Sequence, residues 1–163
     1  MTADELKTVL GLTKHPREGG WYVRTWESEE RVELKRYGAA RRTSTAIYYL
    51  LEPGTFSEMH MLESDEIFHH YIGGAVEMLM LFEDGRSERV LIGKDLEAGE
   101  RPQHVVPRGV WQGSRLAVRE GWALLGCTVS PGFEFVDYRN ASAKELVKKW
   151  PCEAEMIREL TNR

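Results

Sequence analysis

The stretch Gly54-Thr-Phe-Ser-Glu-Met-His60-Met-Leu62-Glu-Ser-Asp-Glu66-Ile-Phe68-His-His70-Tyr-Ile-Gly73 carries the reading of the fold. It holds two short apolar-rich runs, Phe56–Leu62 and Glu66–Ile72, parted by Glu63-Ser-Asp65. Glu52-Pro-Gly54 precedes the first run and Gly73-Gly74 follows the second. Pro and Gly in such places mark turns, and runs of this length between them read as strands. In a strand, residues two apart face the same way. If His60 points inward, so does Leu62; past the turn, Glu66, Phe68 and His70 share one face. His69 then faces away, unless a bulge resets the register. An imidazole and a carboxylate thus converge on one interior.

Working outward, the same punctuation continues on both sides. Runs at Thr45–Leu51, Ala75–Phe82, Glu88–Ile92, Gln103–Val106, Leu116–Val118 and Trp122–Val129 alternate with turns at Glu83-Asp-Gly85, Gly93, Gly99 and Pro107-Arg-Gly109. Regularly spaced short strands of this kind predict an all-β barrel or sandwich. An aromatic strand, Trp21–Trp26, follows the turn His15-Pro-Arg-Glu18-Gly-Gly20, and a polar loop over residues 27–42 follows that strand. The ends change period. Thr2 and Glu5 form a capping box for a helix over about residues 3–10, with Leu6, Val9 and Leu10 as its apolar face and Gly11 as its stop. Ser142 caps a second helix, Pro151 breaks it, and Glu153–Leu160 forms a third, so the C-terminal helices span about residues 142–161. The expectation is a single domain over residues 1–163, with its barrel at about 20–137 and short helices at either end.

Composition excludes several classes of function. The 163 residues carry 42% hydrophobic and 29% charged side chains, ordinary for a soluble domain that buries its own core. A formal net charge of −4, with signs mixed along Glu27–Arg42, argues against nucleic acid as a partner. No apolar run approaches the ~18 residues of a membrane helix, and Met1–Leu6 lacks the pattern of a signal peptide. Neither Cys127 nor Cys152 has a CxxC partner. The expectation is a reduced, cytoplasmic protein with no membrane partner.

Gly54, His60, Glu66 and Gly73 match a spacing that resembles the first motif of the cupin superfamily, in which two histidines and a glutamate surround a metal inside a jelly-roll barrel. Leu62 stands at the second histidine position. Pro107-Arg-Gly109-Val-Trp-Gln112 resembles the second motif, with Gln112 at its histidine position and Arg101 where a glycine usually precedes it. His15-Pro, Glu18-Gly-Gly-Trp21, Ser44–Leu51, Ser64-Asp-Glu-Ile67, Val106-Pro and Val129-Ser-Pro-Gly-Phe-Glu-Phe135 are similar to one subfamily of small cupins of unknown function. The resemblance covers nearly the whole chain. It implies a cupin-type double-stranded β-helix, similar in fold to sugar-nucleotide 3,5-epimerases, that pairs as a homodimer through a sheet face or an exchanged N-terminal strand. The Trp21–Trp26 strand agrees with pairing, since it makes a hazardous open edge in a monomer.

The resemblance also implies a divalent metal on His60, Glu66 and Gln112. A catalytic zinc or iron wants three or more protein ligands, commonly two histidines and a carboxylate. Here two such ligands remain, Gln112 is a weak neutral donor, and neither His70 nor His104 lies at a family ligand position. The expectation is a barrel with no metal or a weakly held one. His60 and Glu66 can instead act as an acid–base pair, suited to moving a proton next to a carbonyl. Tyr49, Phe68, His70 and Gln112 are expected to wall a pocket for a small-molecule ligand. Against this isomerase or epimerase reading stand three others: a metal-dependent oxidoreductase or dioxygenase, a non-enzymatic metabolite-binding module, and a His–Glu pair that only holds the barrel in shape. His15, next to Pro16, reads as a turn residue, with Glu18-Gly-Gly20 shaping the pocket entrance. Cys127 reads as a small core residue, and Phe133 and Phe135 as anchors for the chain's exit.

Overall fold

The computed structural model describes residues 1–161. In chain order its first strands are β1 (Thr13–Lys14), β2 (Trp21–Glu27), β3 (Arg31–Val32), β4 (Arg41–Arg42) and β5 (Thr45–Leu51). Next come β6 (Phe56–Met61), β7 (Asp65–Gly73), β8 (Val76–Leu81) and β9 (Ser87–Ile92). The last are β10 (Gln103–Val106), β11 (Trp111–Leu116), β12 (Ala123–Ser130) and β13 (Arg139–Asn140). The helices are α1 (Ala3–Leu10), α2 (Ala143–Lys149) and α3 (Ala154–Glu159). Two main sheets face each other, one ordered β1-β2-β5-β12-β7-β10 and the other β13-β6-β11-β8-β9. This is the all-β cupin-type jelly roll with short terminal helices.

The strands are apolar on both faces because each sheet is covered twice. Along β8, Met78 and Met80 point into the barrel core with Tyr49, Leu51, Phe68 and Leu125. Their neighbours Leu79 and Leu81 point outward, under Leu146, Met156 and Ile157 of α2 and α3. On the other sheet Leu50 and Leu124 turn out to meet Leu6 and Leu12 at α1. At about 25 cal/mol per Å2, each fully buried side chain of this size contributes roughly 1.5–3 kcal/mol. Capping boxes at Thr2/Glu5 and Ser142/Glu145 start α1 and α2. No helix among the described residues is long and apolar enough to cross a membrane.

Four sequence expectations are corrected. The strand expected at Leu116–Val118 is β11, which begins at Trp111 and ends at Leu116; its inward residues Gln112 and Ser114 are polar, which hides the alternation. The polar stretch 27–42 is not a plain loop. It contains the β3–β4 hairpin and a turn of 3-10 helix at Lys35–Tyr37. Buried Arg41 ties it down, its Nε and Nη2 donating to Asp137 at 2.7 and 2.8 Å. Val9 is exposed, so the inward face of α1 rests on Leu6 and Leu10. Finally, Trp21 and Tyr22 of β2 are covered by β1, and the Trp21 ring packs beside α1 with its Nε1 donating to Glu52. Only the later part of that strand is a sheet edge.

Candidate functional site

A cavity of about 420 Å3 opens into the barrel. His15, Glu18, His60, Glu66 and Cys127 line it, with Tyr22, Ile47, Leu62, Val129, Phe133 and Phe135 as apolar walls. An apolar hollow of this size with a few convergent polar groups is the usual form of a small-molecule site.

His60 is fixed by a local irregularity. Gln112 of β11 pairs with His60 of β6, but Ser114 pairs with Ser57, so β6 carries an extra residue between them. At this bulge the backbone turns to other elements: Glu58 N–H donates to the Glu18 carbonyl and Met59 N–H to the Leu160 carbonyl. The Glu58 carbonyl lies 2.7 Å from His60 Nδ1. A carbonyl only accepts, so Nδ1 carries the proton and Nε2 is the ring's acceptor. The ring also stacks on Tyr138, centroids 4.9 Å apart and 15° from parallel.

Glu66 enters from the opposite sheet. Gln112, directly across β6/β11 from His60, spans the interior and donates Nε2–H to Glu66 Oε2 at 2.7 Å. Burial pushes the Glu66 carboxyl up to about 8, helped by the negative charge of Glu18 and opposed by hydrogen bonds from Gln112 and the Cys127 thiol. Glu66 therefore carries a proton near neutrality. Gln112 Oε1 is buried with no hydrogen-bond partner among the described residues. A half-turn of the amide brings that oxygen to accept from protonated Glu66, so Gln112 can serve both forms.

Glu18 comes from the turn before β2. The Ser57 hydroxyl donates to its Oε1. His15 Nδ1 accepts the backbone N–H of Glu18 at 2.8 Å and of Arg17 at 3.4 Å. The neutral ring then holds its proton on Nε2, 3.8 Å from Glu18 Oε2. The Tyr49 hydroxyl donates to the Gly19 carbonyl at 2.8 Å. Gly20 makes the close approach possible: its φ is +67°, and a Cβ there would lie 2.9 Å from both Leu50 O and Tyr49 Oη.

His60, Glu66 and Leu62 thus share the hollow as the strand period requires. The other four expected wall residues are placed behind it or away from it. Tyr49 and Phe68 are packed in the barrel core, Tyr49 steadying the Glu18 turn. Gln112 backs Glu66. His70 lies where the β7–β12 register shifts, its Nε2 3.0 Å from the Gly74 carbonyl. His69 faces the other way, stacked on Tyr71 and 3.3 Å from Thr128 Oγ1. The sequence reading had placed His15 and Glu18 only at a turn and an entrance. A His and a Glu three apart, before a Gly-Gly pair that permits close backbone approach, were the available signal.

The divalent metal implied by the two motif resemblances does not fit these residues. Leu62 offers no donor, and Gln112, its Nε2–H held by Glu66, has only a weak neutral amide oxygen to give. Among the described residues, no group of three or more His, Cys, Asp or Glu side chains is placed to hold a metal ion. His104, the other candidate, faces Met80 Sδ at 3.3 Å.

Comparison with known proteins agrees with this architecture. The uncharacterized protein YML079W of Saccharomyces cerevisiae is 30% identical over 149 residues, covering 84% of this chain and 74% of the yeast protein. A hypothetical protein from Leishmania major superposes with a TM-score of 0.90 at 31% identity, over the full length of both chains. Protein SO0799 from Shewanella oneidensis does so at 0.90 and 33%, over 99% and 98% of the two chains. Oxalate decarboxylase of Bacillus subtilis shares the fold alone, at a TM-score of 0.55 and 15% identity, with 94% of this chain matching 38% of that one. Residues 4–141 match the family described as Cupin superfamily (DUF985), and the chain belongs to that family.

Proposed function

We propose that this cupin binds a small molecule in its barrel and moves protons on it, as an isomerase or epimerase does. The observation that carries this reading is the pairing of two unlike groups on one apolar cavity. In its neutral form His60 presents Nε2 as the acceptor, the tautomer being set by the Glu58 carbonyl, and Glu66 is a buried carboxylic acid. An imidazole acceptor beside a protonated carboxyl supplies a base and an acid on one cavity. His60 Nε2 takes a proton from a carbon next to a carbonyl while Glu66 donates to the carbonyl oxygen, leaving an enol. Return of a proton to the same carbon, as the enol O–H gives its proton back to Glu66, exchanges or inverts that carbon. In an α-hydroxy compound the enediol instead takes the proton on the former carbonyl carbon while its other hydroxyl loses one to become the new carbonyl, which isomerises the compound. The apolar walls keep bulk water from the enol. The motif resemblance read from the sequence, which implies a fold like that of sugar-nucleotide 3,5-epimerases, favours a keto or aldehyde sugar as the substrate.

The test is proton exchange. The protein is incubated in D2O with a panel of ketoses, aldoses and keto-sugar nucleotides, and mass gain is read by mass spectrometry. Catalysed single-deuterium incorporation is expected, falling roughly 10²–10⁴-fold in His60→Gln, the usual loss on removing a general base. Saturable binding without exchange refutes the chemistry and leaves a metabolite-binding module.

A further inference from the structure

The cavity has an uneven charge. Glu18 and Glu134, with the protonated Glu66, line it against one cation among the described residues, Arg24. Arg24 is already engaged: its Nη1 pairs with Glu27 Oε2 at 3.1 Å and its Nη2 donates to the Phe133 carbonyl at 3.1 Å. Arg17 is held outside, donating to the Phe135 carbonyl at 3.3 Å. On the inner side an entering ligand meets two acceptors, the Glu18 carboxylate and His60 Nε2, beside the Glu66 acid. A carboxylate or phosphate arriving there faces the like charge of Glu18 at low dielectric, while Arg24 is held by Glu27 and the Phe133 carbonyl. A hydroxyl or ammonium instead finds acceptors, while Tyr22, Phe133 and Phe135 offer ring faces to the body of the ligand.

We propose that this cavity admits ligands whose buried end is a hydrogen-bond donor without negative charge, a hydroxyl or an ammonium, and turns away carboxylates and phosphates, with Glu18 setting that preference. The inference rests on the cavity being the ligand site and names the end of the ligand that enters it. His15 and Ser57 are positioning residues, His15 accepting the Glu18 backbone N–H and Ser57 donating to one of its carboxylate oxygens. The upward shift of Glu66 agrees with this arrangement, since the charge of Glu18 is one of its causes. An anionic group elsewhere on the ligand stays at the mouth, near Arg17 and Arg24.

Three probes of one shape separate the possibilities: benzyl alcohol, benzylamine and benzoate, titrated at neutral pH and followed by NMR shifts of the cavity residues. Binding of benzyl alcohol, benzylamine or both to the wild-type protein is expected at least about tenfold more tightly than benzoate. Which of the two binds tells hydroxyl from ammonium. In Glu18→Gln the benzoate penalty is expected to shrink to about twofold, whereas Glu66→Gln keeps it. Benzoate binding the wild-type protein as tightly as benzyl alcohol overturns the inference, and so does the absence of binding by all three; neither result depends on a variant folding. A charge preference unchanged in a folded Glu18→Gln also overturns it. Deuterium exchange without the charge preference removes this inference and leaves the proposed chemistry. The preference without exchange does the reverse.

Discussion

Replacing Glu66 with Gln is expected to change how stability depends on pH. The folded-state value for Glu66 is about 8, against 4.5 for an exposed glutamate. Below 4.5 the carboxyl is protonated in both folded and unfolded chains, and its contribution is fully present. Between 4.5 and 8 the folded protein binds the proton that the unfolded chain has released, so stability falls as pH rises, and it levels off above 8. At about 1.4 kcal/mol per pH unit, that interval amounts to roughly 5 kcal/mol lost by the wild-type protein. Gln resembles the protonated acid in shape and can still pair with Gln112, so the variant is expected within about 1 kcal/mol of wild type at pH 5. Urea unfolding of both proteins from pH 5 to pH 9 gives the difference directly, because titrations elsewhere cancel. Glu66→Gln is expected to gain on the wild type steadily and to be the more stable protein at pH 9. A difference that stays flat over this range refutes the placement of a buried, protonated carboxyl at position 66, and with it the acid of the proposed mechanism.

Gln112→Leu removes the 2.7 Å donor to Glu66; since that bond favours the ionised form, the Glu66 transition is expected to move to higher pH in the same urea series, and a downward move contradicts the assignment. Asp137→Asn breaks the buried pair with Arg41 and is expected to cost about 3–5 kcal/mol by leaving a buried charge unpaired. The Arg41→Met/Asp137→Leu double variant is expected to recover most of that, and a single-variant loss under about 1 kcal/mol speaks against the pair as the tie of the 27–42 segment. Tyr71, Ile72 and Val105 stand about half exposed on β7 and β10, an apolar sheet face that we propose is covered by a second copy of the chain. Light scattering is expected to give twice 18.7 kDa, dropping to the single-chain mass in Tyr71→Glu/Val105→Lys; a wild-type monomer at all concentrations rules the pairing out.

Where side chains alternate between a filled interior and a covered exterior, the strand pattern was readable. Thr45–Leu51 and Gln103–Val106 form strands with the expected bounds. Where polar groups face inward the pattern failed, and β11 was misplaced because Gln112 and Ser114 occupy positions that apolar residues usually fill. The 27–42 segment has no apolar period, because its anchor is an ion pair to a residue 96 positions away. The departure from the motif at Leu62 was legible at once, being a local fact.

An all-β fold and the shared face of His60 and Leu62 follow from local pattern, because the two-residue period of a strand dictates which of its side chains point the same way. Packing of the two sheets brings Glu66 to them, and long-range contacts bring Glu18. Glu18 sits in a turn, where no period governs direction, and it is placed by contacts its neighbours in sequence do not make. These are the Ser57 hydroxyl 39 residues on, the Tyr49 hydroxyl holding Gly19, and the Glu58 amide turned out by the β6 bulge. Local period sets direction along a strand; in a turn, direction is set by whatever distant group satisfies the backbone and side chain.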